Sequence, residues 1–571
     1  MPRNILFINP PSMPYHHVAM SLEKNVVDIT NFVKQPIAMP MGILYLASVL
    51  ERDIPDVNIR ILDYAKALRE TLSGPSHKYS GIDEFLDDVL ASQIPQDFTP
   101  EFVGLSILFS TAHRTAGFIA DAIKRRWPDA PIVVGGMHAT NAVPSLLAMP
   151  SIDYVCRGEA ESVITELVKR LGNNEEVESI GGIHGRKKLA EVEASGGTKC
   201  VESCALIDDL DEIPLPAWHL IPMEEYVHSV GSRVAKVSDA IEHDREATIV
   251  TTRGCPFSCT FCSSWTVHGR KMRFRSVGNV IRELEILHLK YGVNMVVPED
   301  DLFTVKKPRI IELCNSVADR FQGAIHFQFP NGLSVSTLDR DVIEAMKRMG
   351  MSLCNVAIES GSAYVQKHII KKNCDLDRAR RVVQECRDAG VLVRTYFICG
   401  FPGETKEMIN ETFEFAASIA TDWSQFGIAA PLIGTEMYDQ MLERGDIDKD
   451  FNWDTAFFRE RTFDTDEISA DELKHMVTSA NIRINYFGNY NLKIGNYDHA
   501  LQFYNQVLDG HPGHLAAQYC IGMVYKLQGD DRAYNEVLEK CREQLRTSAM
   551  AQEHLNLHPE LFPELRELAA A

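Results

Sequence analysis

The stretch TTRGCPFSCTFCSS, residues 251–264, decides how this chain is interpreted. It places Cys255, Cys259 and Cys262 in one short loop, directly after the apolar run EATIV at 246–250. Three thiolates this close in sequence can ligate three irons of a cubane iron–sulfur cluster, and the fourth iron then lacks a protein ligand. Such an open iron can chelate a small molecule. The loop therefore predicts a [4Fe-4S] cluster that is held by these three cysteines.

A zinc ion is the alternative for so many thiols in one loop. A structural zinc site needs four closed ligands. His268 lies nearby in the sequence, but no second Cys or His pair completes a familiar zinc spacing. Seven later cysteines show no comparable grouping and are interpreted as core or surface thiols: Cys314, Cys354, Cys374, Cys386, Cys399, Cys520 and Cys541.

The cysteine loop belongs to the first of six apolar runs that alternate with amphipathic stretches. Alternation of this kind favours strands covered by helices. The six units form either an open sheet or a partial (β/α) barrel, and in both the active site gathers at the carboxyl ends of the strands. The runs are EATIVTTRG (246–254), NMVVPEDD (294–301), IHFQF (325–329), LCNVAIESG (353–361), VLVRTYFICGFPG (391–403) and WSQFGIAAPLIG (423–434).

The first 200 residues show the same alternation, which predicts a parallel sheet with helices on both faces. Ligands of such sheets lie at the carboxyl ends of the strands, and small, polar and turn-forming residues occupy those ends here. The glycines among them could also simply close β–α turns. The apolar runs are NILFIN (4–9), VNIRILDY (57–64), FVGLSIL (102–108), PIVVGG (131–136) and DYVCRG (153–158). The residues of interest at the strand ends are Gly135, Gly136, His138, Gly158, Glu159 and Glu161.

The sequence divides into four regions. Residues 1–200 and 246–464 are the two α/β regions, and the turn-rich path at 201–245, with three prolines in DEIPLPAWHLIP, is interpreted as a linker. Residues 465–571 are predicted to be all α-helical. Gly488 and Gly522 in this tail lie 34 residues apart, a period that resembles tetratricopeptide (TPR) repeats in part. The tail is either a stabilising cap or a docking surface for a protein partner.

The net charge and the composition restrict the classes of partner and the cellular compartment that we expect for this chain. The formal net charge of −21 argues against nucleic acid and anionic membranes, which select positive patches. The N-terminus shows no secretory signal, and no apolar run is long enough to cross a membrane. Thirteen scattered cysteines suit a reducing compartment. We expect a cytoplasmic protein without a transmembrane segment.

The cysteine loop, with Phe261 before its last cysteine, resembles that of the radical S-adenosylmethionine (SAM) superfamily. The resemblance implies that the open iron binds SAM. It further implies that electron transfer cleaves SAM to a 5′-deoxyadenosyl radical, which abstracts hydrogen from an unactivated C–H bond. An external one-electron donor such as flavodoxin or ferredoxin is expected, because the sequence shows no second cluster or flavin site.

Four later motifs follow in the order of that superfamily. PEDDLF at 298–303, AIESGS at 357–362, CGFPGET at 399–405 and PLIGT at 431–435 resemble the segments that surround SAM. Carboxylates suit the amino group and the ribose hydroxyls of SAM. The residues that the resemblance assigns to SAM binding are Phe261, Glu299, Asp300, Asp301, Glu359, Ser360, Gly361, Gly400, Pro402 and Gly403.

The N-terminal half resembles the cobalamin-binding domain of the B12-binding radical SAM family, through NPP, GGMHAT, RGEAE and LPAWHLIP. The resemblance covers roughly residues 1–460 and implies a doubly wound, Rossmann-like domain that is followed by a partial barrel. It implies that Gly135, Gly136, His138 and the residues of RGEAE lie near cobalamin. The D-x-H-x-x-G signature of a cobalt-ligating histidine is absent. His138 is therefore interpreted as a loop residue near the corrin or its tail.

The expected function is that of a cobalamin-dependent radical SAM methyltransferase acting on an sp3 carbon of a small-molecule, lipid or peptide substrate. One alternative is a non-methylating member of the same family, which forms rings or couples carbons in tetrapyrrole, hopanoid or other lipid metabolism. Another is a non-catalytic iron–sulfur scaffold or sensor. The sequence singles out no catalytic residue beyond the cofactor sites.

Overall fold

The computed structural model describes residues 3–24, 38–73, 79–194, 202–227, 245–456 and 461–568. The chain forms two compact units. The first contains Met1–Ser232, Asp244–Phe303 and Pro431–Ala456, and the second contains Arg233–His243, Thr304–Ala430 and Phe457–Ala571. Of the predicted linker at 201–245, residues 201 and 228–244 lie outside the described residues.

A six-stranded sheet forms the centre of the N-terminal part of the first unit. Its strands lie in the order β2-β1-β3-β4-β5-β6. The first five are parallel, and β6 runs antiparallel to β5. The order of the parallel strands is that of a doubly wound fold of the flavodoxin type, in which ligands bind where the order reverses, between β1 and β3. The strands are β1 Asn4–Asn9, β2 Asn58–Asp63, β3 Phe102–Ser106, β4 Ile132–Gly135, β5 Tyr154–Cys156 and β6 Ile183–His184.

Helices cover both faces of this sheet. Along β1, Leu6 and Ile8 pack into one hydrophobic core, whereas Ile5 and Phe7 pack into another. A strand that is buried on both faces reads as a continuous apolar run, which is why NILFIN shows no polar alternation. The helices are α1 Tyr15–Lys24, α2 Met41–Asp53, α3 Tyr64–Ser73, α4 Ile82–Gln93, α5 His113–Arg126, α6 Met137–Asn141, α7 Val143–Leu147, α8 Ile164–Gly172, α9 Arg186–Ala194 and α10 Met223–Val227.

The rest of the first unit contains the start of the second α/β region. β7 pairs in parallel with β10, and the short β8 pairs antiparallel with β9. The run EATIVTTRG, predicted as one strand, is divided into β7 and β8. The elements are β7 Glu246–Ile249, β8 Thr252–Arg253, α11 Trp265–His268, β9 Arg273–Phe274, α12 Val277–Tyr291, β10 Met295–Pro298 and, after the residues of the second unit, the helix Glu436–Arg444.

The second unit carries the remaining strands, of which β12, β13, β14 and β15 form one parallel sheet in that order. Helices alternate with them, as the sequence predicts. The strands are β11 His326–Phe327, β12 Leu333–Ser334, β13 Leu353–Glu359, β14 Leu392–Cys399 and β15 Trp423–Ile428. The helices are α13 Lys307–Phe321, α14 Arg340–Arg348, α15 Leu376–Asp388 and α16 Lys406–Ser418, and we number Glu436–Arg444 as α17.

The tail is helical, as predicted, and it packs on β15 of the same unit. Asn485 exchanges two hydrogen bonds with the backbone of Ser424, at 2.6 and 2.7 Å. Phe562 and Leu565, from the segment that follows the last helix, are buried in the core of the tail. The TPR resemblance stays a prediction. The helices are α18 Ala470–Asn481, α19 Tyr490–Lys493, α20 Tyr497–Gly510, α21 Leu515–Leu527, α22 Asp531–Thr547 and α23 Ala549–Leu557.

The α/β class with a helical C-terminal region is confirmed. None of the helices in the described part of the chain combines the length and the apolar character that a membrane span requires.

Candidate active site

The cysteine loop starts at a backbone position that suits only glycine. Gly254, directly after β8, has a φ of +94°. A Cβ atom there would overlap the carbonyl oxygen of Lys271. The Gly254 N–H donates to Asp301 Oδ2 at 3.1 Å, and the Cys255 N–H donates to the carbonyl of Gly269 at 3.2 Å. The loop therefore enters on a backbone path that is fixed on both sides.

The three predicted cluster ligands lie in the segment between β8 and α11. Cys255, Cys259 and Cys262 are half-buried, as is Phe261 beside the last of them. The Cys262 N–H donates to the carbonyl of Cys259 at 3.4 Å. Within the described ranges, no three His, Cys, Asp or Glu side chains converge as they would around one metal ion. A cubane spreads its thiolates over three irons, so the accessible thiols of this loop fit a cluster better than a single ion.

Two of the three acids predicted for SAM brace the cysteine loop. Buried Asp300 accepts hydrogen bonds from the Thr251 N–H and the Thr252 N–H, both at 2.6 Å, and from the Thr251 hydroxyl at 2.7 Å. Asp301 accepts from the Gly254 N–H and from the Ser264 hydroxyl. Both carboxylates thus bond to the segment that carries the cysteines.

The third acid, Glu299, extends the pairing of β10 with β7. Its N–H donates to the carbonyl of Ile249 at 2.9 Å, and the residue is half-buried. Asp300 uses its carboxylate on the backbone of the chain itself. Contact of Glu299 with SAM stays a prediction.

His138 is buried in α6, the short helix that follows β4. One ring nitrogen lies 2.8 Å from Nδ1 of His113, and the other lies 3.0 Å from the Ser110 hydroxyl. Burial and the neighbouring His113 lower the pKa of His138 to about 3. Burial also lowers the pKa of His113 to about 4. Trp453 stands edge-on to both rings. The imidazole is therefore neutral with both nitrogens engaged; His138 lies in a helix rather than the expected loop, and its place near the corrin stays a prediction.

The carboxyl end of β3 exposes a large apolar surface. Leu108 is 54% exposed and Phe109 is 49% exposed. They follow β3 at the point where the strand order reverses, the usual ligand position in this fold. Beside them, Gly136 has a φ of +102°, and a Cβ there would overlap the carbonyl of Ile107. The close approach of the two loops and the exposed apolar side chains fit a broad, largely apolar ligand such as a corrin.

The RGEAE segment after β5 faces the cysteine loop. Glu159 forms ion pairs with Arg273 and Arg253 and lies 2.7 Å from His268, and Glu161 pairs with Arg253 at 2.6 Å. Although burial favours the neutral acid, hydrogen bonds from Arg273 and His268 hold the pKa of Glu159 well below its usual range. Glu159 is therefore ionised, and both carboxylates are paired with arginines.

Two of the predicted glycines, Gly135 and Gly158, lie at the carboxyl ends of β4 and β5. The Gly158 N–H donates to the Thr140 hydroxyl at 3.0 Å, and Gly158 has a φ of +92°. Gly135 ends β4. Both residues therefore lie in the backbone around the candidate ligand edge.

The AIESGS motif of the second unit ends β13 in an unusual conformation. Glu359 has a φ of +72°, which is rare for a residue with a side chain. It is buried and pairs with Lys372 at 2.7 Å. Ser360 and Gly361 both hydrogen-bond to Thr412 of α16, at 3.0 Å. The latter two residues thus pack the end of the strand against a helix, and strained Glu359 is the residue of interest for binding.

The CGFPGET turn is closed by its own glutamate. Glu404 accepts hydrogen bonds from the N–H groups of Gly400, at 2.6 Å, and Phe401, at 3.1 Å. Burial raises the pKa of Glu404 to about 7. Pro402 is buried within the turn and Gly403, with a φ of +81°, has open space where a Cβ would lie.

The structure brings the cysteine loop, the PEDD acids and the residues after β3, β4 and β5 together in the first unit, whereas the AIESGS and CGFPGET motifs belong to the second. Sequence reasoning missed the partners that hold these residues, above all Arg253, Arg273, Trp453 and Lys372. Arg253 belongs to the cysteine motif TTRGCPFSCTFCSS, so its position was known from the sequence. The sequence did not indicate that it pairs with Glu159 and Glu161.

Fold and site together define an α/β enzyme with a three-thiol loop and a separate doubly wound ligand-binding sheet. The family profile described as the radical SAM superfamily matches residues 249–416, and the profile described as the B12 binding domain matches residues 34–168. An uncharacterized methyltransferase of Pyrococcus horikoshii is 30% identical over 405 residues, 71% of this chain and 78% of that protein. The chain belongs to the radical SAM superfamily and carries a B12 binding domain.

Two further relatives and a solved structure extend the comparison. Cytidylyl-2-hydroxyethylphosphonate methyltransferase of Streptomyces wedmorensis is 27% identical over 72% of this chain and 79% of that protein. The anaerobic magnesium-protoporphyrin IX monomethyl ester cyclase of Rubrivivax gelatinosus is 24% identical over 68% of this chain and 67% of that protein. The structure of the cobalamin-dependent SAM radical enzyme OxsB shares the fold, with a TM-score of 0.63 and 15% identity over 100% of this chain and 81% of that chain.

The predicted enzyme class is confirmed: the chain is a radical SAM enzyme of a group that includes methyltransferases. The predicted cofactors, a [4Fe-4S] cluster, SAM and cobalamin, are those of the family to which the chain belongs.

Proposed function

We propose that this enzyme methylates an unactivated carbon of its substrate with the help of a [4Fe-4S] cluster, SAM and cobalamin. The observation that carries the proposal is that one compact unit contains both the three-thiol loop and the ligand edge of the B12-type sheet, joined by buried ion pairs. Methyl transfer between two bound groups requires that they be held in a near-attack arrangement. The presence of both edges in one unit supports such an arrangement.

When bound, the cluster with SAM supplies a carbon-centred radical that removes a substrate hydrogen, and cobalamin supplies the methyl group. The Cys255, Cys259 and Cys262 thiolates hold three irons. Asp300 and Asp301 keep the loop in place, and the Glu299 carboxylate, which suits a cationic amino group, is proposed to orient SAM.

The remaining candidate residues shape the walls around these groups. Leu108 and Phe109 would offer exposed apolar side chains to a bound corrin and would exclude water there. His138 would keep its contacts with His113 and Ser110. Glu359 and the turn from Gly400 to Gly403, which belong to the second unit, stay predicted SAM-binding residues.

The conditions of the reaction fit a reducing environment. We propose a cytoplasmic location and reduction by a one-electron donor such as flavodoxin or ferredoxin. Thirteen cysteines and a cluster loop with accessible thiols support that environment. The substrate is proposed to be a small molecule, lipid or peptide rather than a nucleic acid, because the net charge is −21.

Ring formation is the second candidate function, favoured by the similarity to the Rubrivivax gelatinosus cyclase. The mass of the product separates the two. A methyltransferase adds one methyl group to its substrate, and a cyclase adds none.

Anaerobic reconstitution with iron, sulfide and hydroxocobalamin tests the proposal. The wild type is expected to bind cluster and corrin and to make 5′-deoxyadenosine from SAM. A variant with Ala at Cys255, Cys259 and Cys262 is expected to lose iron and cleavage but to keep the corrin. Cys399→Ala, which changes a buried thiol in the second unit, is the matched control and keeps both. A wild type that binds no corrin refutes the methyltransferase proposal.

A further inference from the structure

Four buried charged side chains join the cysteine loop to the edge of the B12-type sheet. The ion pairs are Arg253–Glu161 at 2.6 Å, Arg253–Glu159 at 3.1 Å and Arg273–Glu159 at 2.5 Å. The exposed fractions of the side chains are 7% for Arg253, 7% for Glu161, 2% for Glu159 and 1% for Arg273. Two carboxylates and two guanidinium groups balance in charge. We refer to these four residues as the ion cluster.

The two arginines mark both ends of the segment that carries the cysteines. Arg253 is the last residue of β8, two positions before Cys255, and Arg273 lies on β9, the strand paired with β8. His268, on the short helix between them, lies 2.7 Å from Glu159 Oε1. The segment therefore contacts the carboxylates of Glu159 and Glu161 at its start, through Arg253, near its middle, through His268, and at its end, through Arg273.

Both carboxylate oxygens of Glu159 contact side chains of the cysteine segment. A carboxylate offers about four lone-pair sites. Oε1 of Glu159 lies next to Nη2 of Arg273 and Nδ1 of His268, and Oε2 lies next to Nη1 of Arg273 and Nη1 of Arg253. All four sites are engaged by the chain itself. The contact of Glu159 with cobalamin stays a prediction, and these contacts support a role of Glu159 in holding the loop.

A neighbouring hydrogen bond links the same two parts of the unit. The Asn141 amide, at the end of α6, donates to the Thr266 hydroxyl at 3.0 Å. Thr266 follows Cys262 by four residues. This second link, independent of charge, places the helix after β4 beside the segment after the cysteines.

We propose that Glu159 and Glu161 are positioning residues, which act through Arg253 and Arg273 to hold the cluster loop in one arrangement against the cobalamin edge. The inference rests on the proposed function. Buried ion pairs of this kind are weak contributors to stability, because apolar residues of similar volume can replace them without loss. They are suited to fixing one arrangement among several, since a misplaced loop would leave buried charges unpaired.

A pair of variants separates positioning from folding. Glu161→Gln leaves Arg253 with one partner fewer. The double variant Arg253→Met with Glu161→Met removes both charges of the pair, so no unpaired charge is buried and folding is retained. Lys271→Met is the matched control, because Lys271 lies in the same segment and its pair with Asp208 is exposed.

The first measurement is hydrogen exchange of residues 252–274 in the protein without cofactors. Protection in this segment is expected to fall at least ~10-fold in the double variant, with an unchanged melting temperature, because the loop loses its anchor at the entry. Lys271→Met keeps the protection of the wild type. Wild-type protection in the double variant overturns the proposal, as does a loss of protection in the control.

The second measurement uses the reconstituted enzyme with SAM and no substrate. S-adenosylhomocysteine reports methyl donation to the corrin, and 5′-deoxyadenosine reports radical cleavage. Their ratio is expected to change at least ~10-fold in the double variant, because the arrangement of the two cofactor edges changes while both sites persist. An unchanged ratio overturns the proposal. A wild type that forms neither product refutes the proposed function, and the exchange experiment then still decides whether the ion cluster holds the loop.

Discussion

Two loops of the molecule begin in the same way and are held differently. The cluster loop starts at Gly254 and the turn after β14 starts at Gly400, with φ values of +94° and +83°. Each glycine donates its N–H to a carboxylate, to Asp301 at 3.1 Å and to Glu404 at 2.6 Å. Asp301 comes from a segment 47 residues away, whereas Glu404 follows Gly400 by four residues. The turn is supported locally, and the cluster loop depends on tertiary contacts.

Gly254→Ala is expected to have the largest effect. The new Cβ would overlap the backbone carbonyl of Lys271, which cannot move without shifting β9, and a positive φ is itself unfavourable for alanine. We expect a loss of about 3 kcal/mol or more in the free energy of unfolding, together with a several-fold loss of iron after reconstitution. Chemical unfolding and iron analysis measure the two effects.

Gly278→Ala is the control for that prediction. Gly278 lies on α12 with open space where its Cβ would be. An unchanged or slightly raised stability is expected there, because alanine favours helices. Equal iron content in Gly254→Ala and the wild type would show that the entry to the loop is not fixed by its backbone.

The variant Glu404→Gln tests whether Glu404 supports the turn. The quantity compared is the pH dependence of the free energy of unfolding. Burial raises the pKa of Glu404 from its ordinary value of 4.5 to about 7, so the folded state holds this proton more tightly than the unfolded state. The contribution of the Glu404 carboxyl group to the free energy of unfolding is fully present below about pH 4.5 and is lost as the pH rises through about 7. The glutamine keeps the neutral form, so the variant should be more stable than the wild type by about 3 kcal/mol at pH 8.

Urea unfolding from pH 4.5 to pH 8 measures that difference. Part of the decline of wild-type stability between pH 4.5 and 7 should be absent in Glu404→Gln. Parallel curves for the two proteins would mean that Glu404 is ionised in the folded turn.

Gly400→Ala is expected to cost less than Gly254→Ala. Its Cβ would meet the end of the flexible Leu473 side chain rather than backbone. We expect a loss of about 1–2 kcal/mol, most of it from the positive φ. Gly403→Ala, with a φ of +81° and open space around its Cβ, isolates the cost of φ alone. If Gly400→Ala lowers the free energy of unfolding as much as Gly254→Ala does, overlap with a flexible side chain costs as much as overlap with backbone, and the proposed difference is wrong.

Lys271→Met is expected to have the smallest effect. The carbonyl of Lys271 limits Gly254, but its side chain forms only an exposed ion pair, and such pairs contribute little. Melting temperature and iron content should match the wild type. A clear loss of iron would show that the surface charge of the segment matters as well as its backbone.

The same contrast explains what the sequence could predict. CGFPGET was recognisable because its donors and its acceptor lie within a few residues of each other. The long strands were predictable from apolar runs, and NILFIN has the predicted bounds. The two-residue strands Ile183–His184 and Arg273–Phe274 were missed, because two residues carry no periodic pattern.

The partners of the ion cluster could not be predicted. Arg253 and Glu161 lie 92 residues apart, and neither sequence context encodes the other. Glu159 and Glu161 were identified from their position after a strand, which indicates a ligand edge but not which partner occupies the carboxylates. Their pairing with arginines depends on how two regions of the first unit pack, which no local pattern describes.

Because Phe562 and Leu565 are buried in the core of the tail, that core can be completed only late in the synthesis of the chain. The core of the tail includes these side chains, and Glu564 between them accepts a hydrogen bond from the Tyr534 hydroxyl at 2.6 Å. The helices from Tyr497 onward therefore cannot close their core until residue 565 has left the ribosome. A chain released before that point exposes apolar helix faces, which chaperones and proteases recognise, so incomplete products are removed before they compete for iron or corrin.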